Sequence, residues 1–344
     1  MRAPSVETLL APLDAVRSLA LRALGPSFAR WLTDRERRVN TVALVGMSLS
    51  LALTVLAPLW LLALGPVLLG AAHLASDVRY MVLWQGLHRR WAAWALLGAP
   101  LLVGALTPLG SRAFALSSVG AVLLAAPKNR WRFALSMAVA LAVCAAFFAL
   151  PRAAELVVAH AHNFIAALLW LAWRPRAGRG HWLVAAAFVA GNVALLSGAL
   201  DPVIAQVAGL SRGPEGLTLG GQMMALAPFP TRIDLSRRLV LSFAFSQSVH
   251  YALWLRAIPE VARRSKTTRS FRQSARALEA DVGRAALWAI AAACVGLALW
   301  ASIDLLAARE GYLRFALFHG YLEISVALWL FCEGLRPLAV EAQR

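Results

Sequence analysis

Residues 318–331, FHGYLEISVALWLF, decide what kind of chain this is. The stretch is apolar enough to lie in a bilayer, yet it carries His319 and Glu323. Four residues apart, the two share one face of a helix, a single turn from each other. A carboxylate in hydrocarbon costs about 2.5–3.5 kcal/mol on insertion scales, so such a pair points into a bundle and marks function.

The rest of the chain is of the same kind. Its 344 residues are 60% hydrophobic and 15% charged, which is not the balance of a soluble domain. Apolar runs of spanning length recur along it. The predicted fold is an all-α, polytopic transmembrane helix bundle of about ten crossings, near 40–64, 66–86, 91–109, 112–127, 131–150, 152–173, 181–199, 238–258, 284–308 and 311–333. Pro66 and Pro151 are expected at first-turn positions, where a missing N–H costs little. Loop charge orients the bundle. Alternate connections, TDRERRVN, LHRR, KNRWR and RPRAGRGH among them, are strongly basic, while LGP, GSR, PRAAE and AAREG carry one Arg each or none. The positive-inside rule then gives both termini inside, in a bacterial-type cytoplasmic (inner) membrane.

Three regions complete the organisation. Residues 1–39 read as a cytoplasmic amphipathic leader rather than a cleavable signal, with 6–24 either a helix lying on the membrane surface or a frayed segment. Residues 40–336 form the bundle, with a long outer loop at 200–237 and a basic inner loop at 259–283; residues 337–344 are a tail. A structureless loop as long as 200–237 is uncommon, and its Met223 and Met224 could close over a site. The six basic side chains of 261–276 suit anionic membrane lipids. The formal charge of +17 follows from the inner loops, and no nucleic-acid partner is expected. Cys144, Cys294 and Cys332 show no metal-site spacing. Arg79 is read as snorkelling to the inner interface, and tryptophans such as Trp60, Trp84, Trp91 and Trp254 as interfacial anchors.

Five of the seven histidines fall inside predicted crossings: His73, His160, His162, His250 and His319, on crossings two, six, eight and ten. Those crossings run in one direction, and the histidines lie roughly 7–12 residues from their outer ends, about 10–18 Å deep at helical rise. Asp77 follows His73 by four residues, as Glu323 follows His319; Asn163 and Gln247 lie three residues from His160 and His250. Imidazole suits iron, copper and zinc, and a carboxylate one turn away can fix its tautomer or ligate directly. The expected metal ligands are therefore His73, His250 and His319 with His160 or His162. Asp77 and Glu323 are the catalytic acids, and Asn163 and Gln247 are supporting groups. Residues two apart diverge around a helix, so one of His160 and His162 faces the site, and Asn163 tips the choice to His160. Interhelical hydrogen bonding is the plainer reading, worth about 0.6 kcal/mol per bond on average.

The HLASD of His73–Asp77 and the HGYLE of His319–Glu323 resemble motifs of the bacterial and archaeal Brp/Blh family of membrane carotene dioxygenases, the second with Glu in place of Asp. The resemblance implies a helical membrane protein with non-haem iron held by histidines, His73 and His319 among them, which cleaves β-carotene to retinal with O2. The leading expectation is a non-haem metal-dependent oxidoreductase or oxygenase, with iron as the metal, acting on a lipophilic small molecule of isoprenoid or carotenoid-like kind. Copper is an alternative metal. A b-type haem protein of electron transfer, a proton-coupled transporter and a non-catalytic membrane protein are the other readings.

Overall fold

The structure is a computed structural model that describes residues 6–127, 129–172, 178–207, 213–263 and 268–334. The 337–344 tail lies outside the described residues, as do parts of three basic loops, at 128, 173–177 and 264–267. Among those described, fifteen helices and no strands occur. They are α1 (Val6–Ala23), α2 (Gly25–Thr33), α3 (Arg35–Leu56), α4 (Pro58–Leu83), α5 (Trp91–Leu106), α6 (Gly110–Leu123), α7 (Arg130–Ala149), α8 (Pro151–Ala172), α9 (Gly180–Ser197), α10 (Asp201–Val207), α11 (Leu219–Leu226), α12 (233–262), α13 (Phe271–Val282), α14 (Arg284–Ile303) and α15 (Leu305–Glu333).

Helices stand at all ten expected crossings, and seven of them are both long and apolar enough to cross a membrane: α3, α4, α7, α8, α9, α14 and α15. The remaining three differ for separate reasons. Helices α5 and α6 are short and lie against each other so closely that a Cβ on Gly120 would sit 1.8 Å from the Leu96 carbonyl oxygen. Helix α12 is polar because protein, not lipid, surrounds it. Its Ser242 and Ser246 hydroxyls donate to Asn192 Oδ1 at 2.7 and 2.9 Å, while Val240, Leu241, Phe245, Trp254 and Ile258 are buried. Helix α14 is its opposite, with Leu287 alone buried among its residues.

Two boundaries depart from the sequence expectation. The first turn falls at Ala57 rather than near residue 65, because Pro58 opens α4 and Pro66 lies inside that helix. Hydropathy is continuous across both prolines, so only the local backbone reveals which one starts a helix. Pro151 does open α8. The long outer loop is folded. It forms α10, α11 and the start of α12, and Asp201 accepts from Arg237 Nη2 at 3.1 Å and Arg238 Nη2 at 2.7 Å. Met224 is 65% exposed on α11.

Beside the bundle, α1 rests on α13. Asp14 accepts from the Phe271 N–H at 2.6 Å and Arg272 Nε at 2.9 Å. Burial pushes its pKa up, but the bonds from Phe271 and Arg272 outweigh that and hold the carboxyl below its ordinary value. The outward side of α1 shows Leu9, Leu13, Val16 and Leu19, as an interfacial helix does. Nearby, buried Glu260 ties α12 to α3 by pairing with Arg38, and it also pairs with Arg263. Burial, then the neighbouring guanidiniums of Arg38, Arg269, Arg256 and Arg35, lower the Arg263 pKa to about 10, so it stays charged at neutral pH.

Helices α4, α12, α8 and α15 close a ring: α4 packs on α12, α12 on α8, α8 on α15 and α15 on α4. These four carry the intramembrane histidines.

Two outcomes follow. Glu260→Gln leaves buried guanidiniums without a counter-charge and should cost about 3–5 kcal/mol, read as a lower melting temperature in detergent. Gly120→Ala should force α5 and α6 apart and cost about 1–3 kcal/mol; a melting temperature equal to wild type would refute the close approach.

Candidate metal centre

Each side chain of the cluster is aimed by its helix. His73 and Asp77 lie one turn apart on α4, and the π turn Val78–Leu83 begins immediately after Asp77. His250 lies on α12 three residues before a second π turn, Leu253–Ala257. The extra residue in a π turn shifts the helical face, and such turns concentrate at functional sites. His319 and Glu323 follow the break at Leu317 in α15. Gly320 faces His162 of α8, so close that a Cβ there would be in van der Waals contact with His162 Cγ at 3.4 Å.

The four helices bring His73, His162, His250 and His319 together. Ring centroids are 4.6 Å apart for His73–His250, 5.1 Å for His73–His319 and for His162–His250, and 5.2 Å for His162–His319. The Nε2 atoms of His73 and His250 are 2.6 Å apart. Asp77 Oδ2 lies 3.3 Å from His73 Nε2, and Glu323 Oε1 3.5 Å from His250 Nε2. His73, Asp77, His250 and Glu323 are all fully buried.

Two of the imidazoles have their tautomer fixed. His162 Nδ1 donates to the Val158 carbonyl at 3.2 Å, and His319 Nδ1 donates to the Ala316 carbonyl. A carbonyl oxygen only accepts, so in each ring Nδ1 carries the proton and Nε2 offers a lone pair. Anchoring of the second nitrogen on a backbone carbonyl is how metal-ligating histidines are oriented. The polar atoms at the centre, by contrast, are orphaned. Neither oxygen of Asp77, neither oxygen of Glu323, and neither Nδ1 of His73 and His250 has a hydrogen-bond partner. Buried polar atoms are rarely left so, and a bound ion is one reason they are.

The donor set fits a cation. His73, His250 and His319 offer ligand atoms within 4.8 Å of one another, as do His73, Asp77 and Glu323. Metal–ligand bonds of about 2.0–2.2 Å put neighbouring ligand atoms about 3 Å apart, close to the separations seen. Charge agrees. Among the described residues the ion-pairing neighbours of the two carboxylates are histidines, and one divalent cation would balance both ionised acids in a medium that tolerates no net charge.

The other expected residues lie outside the cluster. His160, preferred over His162 from the sequence, turns away: its Nε2 donates to the Leu226 carbonyl of α11 at 3.0 Å, and its ring packs edge-on against Phe243 at 5.3 Å. The sequence cue was wrong because Asn163 does not support either histidine. Asn163 Nδ2 donates to Ala159 O at 3.2 Å, one turn back on its own helix. Gln247 is half-buried and forms no hydrogen bond with the histidines. Arg79 does more than snorkel: its Nη2 meets Asp281 of α13 at 2.6 Å, with the guanidinium over Tyr80 and Trp84.

Sequence reasoning missed two aromatic walls. Tyr251 stands edge-on to His73 at 5.1 Å, and Trp254 to the same ring at 6.5 Å. Trp254 is fully buried, so it is no interfacial anchor. Their only signal was proximity to His250 on a helix too polar to face lipid.

Comparison with known protein families, curated proteins and solved structures finds no match. The geometry therefore defines a class: a multi-pass membrane protein with a buried histidine–carboxylate cluster suited to a metal ion.

The unmatched carboxylates give a test. In chelator, an Asp77→Asn/Glu323→Gln double variant should melt above wild type, since it removes charges that nothing offsets. Free divalent metal at 100 times its Kd should stabilise wild type by about 2.7 kcal/mol and leave the variant unmoved. Equal metal-induced shifts in both proteins would remove the carboxylates from the site.

Proposed function

We propose that this protein is a non-haem metal-dependent oxidoreductase or oxygenase of the membrane, acting on a lipophilic substrate of isoprenoid or carotenoid-like kind. The observation that carries it is the convergence of imidazoles and orphaned carboxylates inside the bundle, with ligand nitrogens presented and no sulfur among them. Mixed imidazole and carboxylate donors with positions left open characterise non-haem ferrous oxygenases. His73, His250 and His319 with Asp77 or Glu323 would hold the ion, and His162 stands as a further donor. Bound there, iron would supply O2 activation.

The chain's own residues do the rest. Val158 and Ala316 carbonyls fix two imidazoles, and Tyr251 and Trp254 wall the His73 ring from water. Substrate binding falls to apolar surface. A groove of about 680 Å³ between α4, α14 and α15 is lined by Leu74, Ala75, Val78, Leu297, Phe315 and Phe318 among others. Leu74 and Phe318 are the chain neighbours of His73 and His319, so an apolar molecule seated there lies beside the cluster. The resemblance of HLASD and HGYLE to the Brp/Blh carotene dioxygenases favours a polyene.

The packing of the cluster disfavours haem. A bis-imidazole haem needs its two nitrogens on opposite faces of the macrocycle, whereas His73 and His250 Nε2 stand 2.6 Å apart.

The test is metal and absorption analysis of detergent-purified protein, with O2 uptake on adding a carotenoid. One iron per chain, no Soret band, and loss of both metal and uptake in His73→Ala and His319→Ala are expected. His160→Ala should keep its metal. Stoichiometric iron undisturbed by the first two changes would end the proposal.

A further inference from the structure

On the other side of the Phe315–Phe318 ridge, a second groove of about 630 Å³ runs between α5, α15 and the inner end of α4. Its walls are apolar, with Leu97, Leu101, Leu102 and Leu106 on α5 facing Phe315 and Leu322 on α15. On α5 the lining extends from Ala93 to Leu106, about 20 Å at helical rise. That is the length class of a long acyl chain.

Two polar side chains interrupt this lining, His88 and Arg314. Helices α5 and α15 cross the bundle in opposite directions, so Arg314 falls at the Leu106 end and His88 at the Ala93 end. The Arg314 side chain is exposed. Among the described residues its guanidinium makes no ion pair and no hydrogen bond. Glu310, one turn back on the same helix, is not paired with it. Arg309 shows what a satisfied neighbour looks like: its Nε donates to Leu62 O at 2.8 Å and its Nη2 to Gln222 Oε1 at 3.2 Å. Arg314 lies five residues further on, about 7.5 Å along the helix, and shares the groove with apolar Leu106, Phe315 and Phe318. A guanidinium so placed is costly unless an anion meets it, and its planar fork suits a carboxylate or a phosphate equally.

We propose that this groove is a binding site for an anionic long-chain amphiphile, its acidic head on Arg314 and its chain laid along Leu102, Phe315, Phe318 and Leu322 toward Leu87. The head supplies the missing counter-charge, and the chain fills apolar surface that extends far from any charge. The site goes beyond the metal reading and does not depend on it, although Phe318 places the chain next to the residue that carries His319.

The experiment is native mass spectrometry of detergent-purified full-length protein titrated with palmitate, phosphatidylglycerol or phosphatidylcholine of matched chains. One anionic amphiphile should be retained per chain, with phosphatidylcholine at least fivefold weaker. Arg314→Gln should weaken the anionic probe at least fivefold and Arg314→Lys less, with metal content unchanged in both. Leu102→Trp, which fills the groove and keeps the charge, should weaken it as Arg314→Gln does. Tighter retention of palmitate identifies a free acid as the occupant, and tighter retention of phosphatidylglycerol a lipid headgroup. Equal retention of charged and neutral lipid, or equal retention by wild type and Arg314→Gln, would overturn the proposal whatever the metal does.

Discussion

Two carboxylates placed among imidazoles, with no lysine or arginine paired to them among the described residues, set the terms for the rest of this molecule. Asp77 and Glu323 are fully buried and their oxygens are unsatisfied. Such groups are tolerated in a bilayer only when protein closes around them and an opposite charge is supplied. Both conditions shape the architecture. Four helices form a closed ring, and the most polar of them, α12, is the one with protein on all sides. The strongly apolar α14 is left at the periphery, with Leu287 alone buried among its residues.

The ring is braced at both ends by charged groups that never enter it. At one end, short α11 is held from two helices: His160 and Arg152 of α8 donate to the Leu226 and Ala225 carbonyls, each at 3.0 Å, and Arg309 of α15 reaches Gln222. At the other end, Glu260 gathers Arg38 and Arg263, and Arg79 engages Asp281. The histidine stratum lies between these braces. A preorganised ligand set needs rigid support of this kind, because a metal site loosened by even an ångström loses much of its chemistry.

Much of this was legible in the sequence. Period-four pairs of histidine and acid on apolar helices gave away the depth and the face of His73, Asp77, His319 and Glu323, because helical geometry leaves little choice once a segment must span. What remained hidden depended on contacts between helices. Nothing local separates His160 from His162: the two differ only in which neighbour they meet, a loop helix in one case and Gly320 of α15 in the other. The break at Ala57 was masked by uniform hydropathy around two prolines. Trp254 resembled every other tryptophan near a helix end until α12 was seen to be central. The pairing of Arg79 with Asp281 joins residues some two hundred positions apart, and no period in the chain announces it.

The layer between α11 and the histidines has a kinetic meaning. Leu62, Ala227, Val240, Phe243 and Ala244 pack there into an apolar layer, with Leu219, Met223 and Leu226 of the pinned α11 against it. Under the function proposed above, a lipophilic substrate would reach the cluster sideways, by two-dimensional diffusion among the acyl chains. The concentration that governs encounter is then the mole fraction of that molecule in the bilayer, and adding inert lipid would dilute the reaction at constant bulk amount. Turnover would respond to membrane viscosity and chain order as a soluble enzyme responds to the viscosity of water.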